Sequence, residues 1–151
     1  DVVVVGELRD PESMGAAITI AETGHLVFGT MHTNTAAGAI TRMVDGFPPE
    51  KQDVIRMNLS MSLLAVVAQQ LIPTVEGSRA LACEVLIATQ AIRSLIRENN
   101  IHQIPNYIKS GSKDGMILMD DSLQDLRQKG IISQDDMVKY AIDPSKMEEA
   151  S

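Results

Sequence analysis

Apolar and polar positions along the chain fall into short runs with clear punctuation. Asp1-Val-Val-Val-Val-Gly6 opens with four valines and no alternation, the pattern of a parallel strand buried on both faces. The run stops at Gly6-Glu7, followed by Leu8-Arg9-Asp10. Asp10-Pro11-Glu12-Ser13 then signals helix entry, with Met14, Ala17, Ile18 and Ala21 at helical spacing and Gly24 as the stop. His25 to His32 (HLVFGTMH) reads as a second short buried strand. Strand, helix and strand within about thirty residues make a βαβ unit and predict a parallel sheet.

Asn34-Thr35 caps a helix expected over 36–45, and Gly46-Phe47-Pro48-Pro49 breaks it. A longer helix is expected over about 50–66, its wide apolar face of Val54, Met57, Met61 and Leu64 predicting burial. Residues 66–73 and 79–87 read as two strands around a turn at Glu76-Gly77-Ser78, an antiparallel hairpin extending the sheet. Beyond Thr89 the period is helical, with helices expected at 90–98, 101–110, 116–129 and 133–141. Gly111 and Gly115 bracket one break, Gly130 ends the third helix, and Ser133 with Asp136 makes a capping box for the last. Met116, Met119, Leu123 and Leu126 form an apolar stripe, and a frayed polar tail is expected from Asp143. The organisation predicted is an α/β core over 1–88, a helical region over 89–142 and a tail over 143–151.

Composition narrows the class. Hydrophobic residues at 44% suffice for a core and exclude disorder, while aromatics at 3% leave that core to Val, Ile, Leu, Ala and Met. A net charge of -7 argues against duplex nucleic acid, which calls for a concentrated basic face. Cys83 is the single cysteine, so neither an intramolecular disulfide nor a self-contained cysteine zinc site is possible, and a reducing cytosol is the natural compartment. No apolar run reaches the length of a membrane span, and no signal peptide is visible. The first residue is not Met and the chain begins inside an apparent core strand, so residue 1 is expected to be a cut rather than a native start.

Chemistry in α/β sheets collects at the carboxyl ends of parallel strands, where Glu7 stands. A carboxylate there can accept a proton from a water attacking a phosphoanhydride, or hold that water in line. An ordinary solvated glutamate fits the segment equally well. Gly6 offers Mg²⁺ no direct ligand, which leaves Glu7 an outer-shell role through water. His25 and His32 lie seven apart, so an unbroken strand would turn them to opposite sides, and a shared metal site is not expected. His32, at the carboxyl end, can reach a phosphate or Glu7; His25 reads from spacing as a structural histidine. In Ala91-Ile-Arg-Ser-Leu-Ile-Arg-Glu98, Ile92, Leu95 and Ile96 share one helical face and Arg93 and Arg97 another. The paired arginines fit an acidic partner or a solvated charged face.

Together these segments resemble the type II/IV secretion ATPase superfamily, most closely its type IV pilus retraction (twitching motility) ATPases. Gly6-Glu7-Leu8-Arg9-Asp10 is similar to the family's modified Walker B segment, and Ala21 to Thr33 to its histidine box. Ala91 to Glu98 resembles the AIRNLIRE helix associated with retraction, with Ser94 in place of asparagine. The three motifs occur in order, and the resemblance covers nearly all of the chain before Asp143.

The resemblance implies a RecA-like P-loop NTPase core working as a homo-hexameric ring, with ATP and Mg²⁺ bound between subunits. It implies Glu7 as general base, His32 near the γ-phosphate, and Gly6, Arg9, His25 and Thr33 on the nucleotide side. It also implies that Ala91, Ile92, Arg93, Leu95, Ile96, Arg97 and Glu98 serve retraction. The implied setting is cytoplasmic and peripheral at the inner membrane, with the pilus platform protein and pilin machinery as partners. A PAS-like domain and a Walker A loop precede this segment in the family. No G-x-x-x-x-G-K-[ST] sequence occurs here, so the P-loop strand and helix are missing and the chain alone is expected to be nearly inactive.

Four alternatives follow from the same residues. A secretion or pilus-assembly ATPase commonly carries a tetracysteine zinc insertion that one cysteine cannot supply, whereas an accessory retraction paralogue is harder to separate. A non-catalytic oligomerisation or interaction module would use the apolar helices and an unmatched sheet edge. A metal hydrolase using the two histidines ranks last on spacing.

Overall fold

The computed structural model describes residues 1–148. Its elements are β1 (Val2–Val5), α1 (Pro11–Glu22), β2 (Leu26–Gly29), α2 (Ala36–Asp45), α3 (Pro49–Ser62), β3 (Ala65–Pro73) and β4 (Arg79–Ile87). Helices α4 (Gln90–Arg97), α5 (Ile104–Ser110), α6 (Met119–Gln128), α7 (Gln134–Tyr140) and α8 (Ser145–Glu148) follow. Local signals account for most boundaries. The Asp10 carboxylate accepts from Ser13 N–H at the start of α1, and the hydroxyls of Thr35, Thr89 and Ser133 do the same for α2, α4 and α7. Gly24, Gly77, Gly115 and Gly130 take positive φ where helices or strands must reverse.

β1 and β2 pair in parallel, Val2 opposite Leu26 and Val5 opposite Gly29, as the βαβ pattern predicts. β3 and β4 form the predicted antiparallel hairpin, from Ala65 opposite Ile87 to Pro73 opposite Arg79. The hairpin does not extend the first sheet, however; each pair is its own two-stranded sheet. Nor is β1 buried on both faces. Val3 and Val5 are half-buried, while Val2 is 63% exposed and lies with Val4, Leu26 and Phe28 on a bare apolar face. Four valines place two side chains on each face, and only the face toward α1 and Phe47 is covered among the described residues.

α3 corrects a second expectation. It ends at Ser62, and the stripe of Val54, Met57, Met61 and Leu64 is exposed, not buried. The adjacent stripe of Ile55 and Leu59 faces the core instead. Both stripes have helical spacing, so periodicity alone cannot choose between them. The hairpin shows the same division, with Val67, Leu71 and Leu81 outward and Ala68, Ile72, Ala82 and Leu86 inward.

Two cores meet along that inner face. Leu86 packs with Ile40, Leu59, Ile92, Ile96, Ile104 and Ile108, while Ala68, Ile72 and Ala82 pack with Met119, Leu123, Ile132 and Met137. Met147 joins the second core, so α8 docks where a frayed tail was expected; residues 149–151 lie outside the described residues. The helix expected from 116 starts at Met119, because residues 116–118 lead in as extended chain and Ile117 pairs with Val85. α5 begins as a 3-10 turn over Ile101–Gln103.

Candidate active site

The end of β1 is stitched to the end of β2. Leu8 N–H donates to the Thr30 carbonyl at 2.8 Å, and the Thr30 hydroxyl donates to the Gly6 carbonyl at 2.5 Å. Leu8 is buried in the core with Met14, Ala17 and Phe47, which anchors the turn from inside. Glu7 is left between these ties, its side chain 25% exposed. Gly29 makes the fit close: a Cβ there would stand 2.6 Å from Leu8 Cδ1. Gly29→Ala should push Leu8 aside and lower stability by about 1–3 kcal/mol, read by urea unfolding. Gly6 needs no such exemption, since a Cβ on it would meet nothing within 4 Å.

Two cationic or hydrogen-bonding groups converge on one oxygen of Glu7. Arg9 Nε pairs with Oε1, and His32 Nε2 lies 3.3 Å from the same atom. His32 is 80% exposed at its ring, while its carbonyl accepts from Arg42 Nη1 at 3.3 Å. The Arg9 guanidinium, hydrogen-bonded to Glu7, holds that carboxyl below the usual glutamate range; partial burial opposes this, and the charges of Arg9, His32 and Arg42 add to it. The pair therefore contributes stability above the ordinary glutamate range and loses it as pH falls through the lowered value. In Arg9→Ala the Glu7 titration should move upward, measured by carboxyl carbon-13 shifts. Arg9 and Arg42 also line an open cleft of about 530 Å³ beside α2, whose floor includes Gly38 and Asp45.

The other candidates are placed as follows. Thr33 is half-buried in the β2–α2 loop next to His32. His25 stands at the amino end of β2, where its Nδ1 lies 3.1 Å from the Thr23 hydroxyl, about 13 Å of strand from the Glu7 end. α4 does not join the cleft. Its Ile92, Leu95 and Ile96 are buried, and Arg93 Nη1 donates to the Ser60 and Met61 carbonyls at 2.7 and 2.8 Å, capping α3. Arg97 turns to the Ser94 hydroxyl at 2.9 Å, so the two arginines hold different partners. Ala91 and Glu98 remain exposed.

Sequence reasoning passed over Arg42, Thr30 and Glu84. Arg42 and Thr30 carry no local signal. Glu84 did, as an acid inside the apolar run Leu81 to Ile87 at an inward position of an alternating strand. Among the described residues no three His, Cys, Asp or Glu side chains gather closely enough to hold a metal. No helix among them is long and apolar enough to cross a membrane.

The strand-end carboxylate, its histidine partner and the α/β frame fit a nucleotide hydrolase, and comparison with known proteins narrows the class. The chain belongs to the type II/IV secretion system protein family, whose model matches residues 1–78. It is 51% identical over 134 residues to a twitching motility protein of Neisseria gonorrhoeae, covering 88% of this chain and 36% of that protein. It is 47% identical over 135 residues to the type IV pilus retraction ATPase PilT of Pseudomonas aeruginosa, covering 89% of this chain and 39% of that protein. Its fold matches the crystal structure of the pilus retraction motor PilT with bound ADP at a TM-score of 0.89 and 42% identity, over 99% of this chain and 42% of that one. The chain thus spans well under half the length of these relatives.

Proposed function

We propose that this chain is the carboxyl-terminal part of a hexameric ATPase motor that drives type IV pilus retraction. The observation that carries the reading is Glu7 at the carboxyl end of β1, its Oε1 shared by Arg9 and His32. Glu7 is ionised at neutral pH with or without Arg9, and an ionised carboxylate is acceptor-only, as a group that orients the attacking water and takes its proton must be; the Arg9 pair fixes its direction at some loss of basicity. Both partners use Oε1, so Oε2 takes the water's proton. His32 stands on the side from which the γ-phosphate approaches, with Gly6, Arg9 and Thr33 around it. His25 reaches nucleotide only by another route, from the far end of β2. Mg²⁺ bound with ATP would offset charge on the phosphates, and Glu7 would be its outer-shell group through water.

In this reading residues 1–88 are a partial RecA-like core and 89–142 a helical region, against which α8 docks through Met147 in place of the tail expected from 143. The whole protein works in the cytoplasm at the inner membrane on the pilus platform and pilin machinery. Retraction is favoured over secretion because likeness to the retraction proteins runs far past residue 78, through the α4 segment. The bare face of Val2, Val4, Leu26 and Phe28 favours a second reading, a non-catalytic interaction module. Phosphate release by the full protein with Mg-ATP, and restoration of twitching in a retraction-null strain, test the motor. A full protein that releases no phosphate leaves the module.

A further inference from the structure

Among the described residues Glu84 is the only charged side chain buried to the level of the core, at 4% exposure. It sits on the inner face of β4 between Ala82 of one core and Leu86 of the other. Both of its oxygens are used. Oε1 accepts from Ala36 N–H at 2.7 Å, and Oε2 accepts from Met119 N–H at 3.3 Å. These are the first residues of α2 and α6, so two ten-residue helices turn their positive ends toward one carboxylate.

The two ends it joins differ in kind. On the α6 side, neighbours reinforce the contact: Cys83 N–H donates to the Ser122 hydroxyl at 3.1 Å, and Val85 exchanges backbone hydrogen bonds with Ile117. On the α2 side, Ala36 comes four residues after His32. The intervening loop is held by the His32 ring at Glu7, the His32 carbonyl at Arg42, and Glu84 at Ala36 N–H. The first two anchors are exposed, so the buried bond is the one that water cannot replace.

We propose that Glu84 is a positioning residue. By holding the first N–H of α2 and of α6 together, it sets where His32 stands against Glu7 and links the histidine segment to the carboxyl-terminal helices. The proposal rests on the reading of Glu7 and His32 as half of a hydrolytic site. Glutamine at 84 has one acceptor oxygen for two donors and sets an amide N–H against the other. Methionine at 84 removes both acceptors instead, with a side chain of similar length and no charge to bury.

The experiment measures hydrogen–deuterium exchange and steady-state turnover in the full protein carrying Glu84→Gln, Glu84→Met or Leu86→Val. Glu84→Gln should speed exchange in both the 31–38 and 117–122 peptides, and lower kcat for ATP about tenfold or more with KM within about twofold, the scale of lost orienting partners. Glu84→Met should give the same kinetic split. Leu86→Val, a truncation on the same face, should lower the Tm without that fall in kcat. Unchanged exchange in 31–38, an unchanged kcat, or an equal kcat loss in Leu86→Val would each overturn the proposal. If Glu84→Gln fails to fold, Glu84→Met decides by the same criteria. If the parent protein releases no phosphate, the motor reading fails, and exchange alone decides: a rise in both peptides upholds the link, and a rise in neither or only one removes it.

Discussion

Glu7→Gln is expected to lower phosphate release by the full protein about 10²–10⁴-fold, the usual scale for losing a positioned base. Glutamine has nearly the same shape, and Leu8 and Thr30 hold the turn through backbone and core contacts that it leaves untouched. What it loses is the capacity to take the water's proton and the ion pair with Arg9. Nucleotide binding should therefore stay within a few-fold of the parent, checked by fluorescent-nucleotide titration beside a phosphate-release assay. A comparable fall in both would mean that Glu7 holds nucleotide and does not act on water.

Ile92→Ala is expected to destabilise the protein by about 2–5 kcal/mol, the cost of removing buried branched carbons that neighbours cannot refill. Ile92 has no exposed surface and shares its core with Ile40, Leu86 and Ile104, drawn from α2, β4 and α5. At about 2–4 °C per kcal/mol for a chain of this size, the loss should be plain in a thermal melt. Glu98→Ala, on the exposed end of the same segment, should stay within about 0.5 kcal/mol. The contrast divides the segment from Ala91 to Glu98 into two jobs. Its isoleucines and Leu95 hold the fold, and Arg93 caps α3; a partner can meet only its exposed residues. A motility defect in Glu98→Ala with an unchanged melt would mark a contact, whereas one in Ile92→Ala reports stability.

Elements with local signals were legible in the residues. Asp10, Thr35 and Ser133 announce their helices because a cap is decided within three residues. The parallel pairing of β1 with β2 follows from one intervening helix. Choices between equivalent faces were not legible. Val54, Met57, Met61 and Leu64 are as well spaced as Ile55 and Leu59, and only tertiary packing turns the second stripe inward. Whether the hairpin joins the first sheet also depends on what lies between them, which no local pattern carries.

The candidate site divides in the same way. Glu7 and His32 announce themselves as polar residues at the carboxyl ends of apolar strands, and the parallel pairing of those strands brings His32 Nε2 to 3.3 Å from Glu7 Oε1. Arg42 reaches His32 from the second turn of α2, a distance of ten residues with no periodicity behind it. Glu84 could have been found from its inward position in an alternating strand, but its two partners, 48 and 35 residues away, could not.

If Glu7 acts on the water that attacks bound ATP, Glu7→Gln should trap the nucleotide before cleavage. After incubation with Mg-ATP and removal of free nucleotide, the full-length variant should hold ATP where the parent protein holds ADP. Recovery of ADP from the variant at the parent's rate would contradict the account.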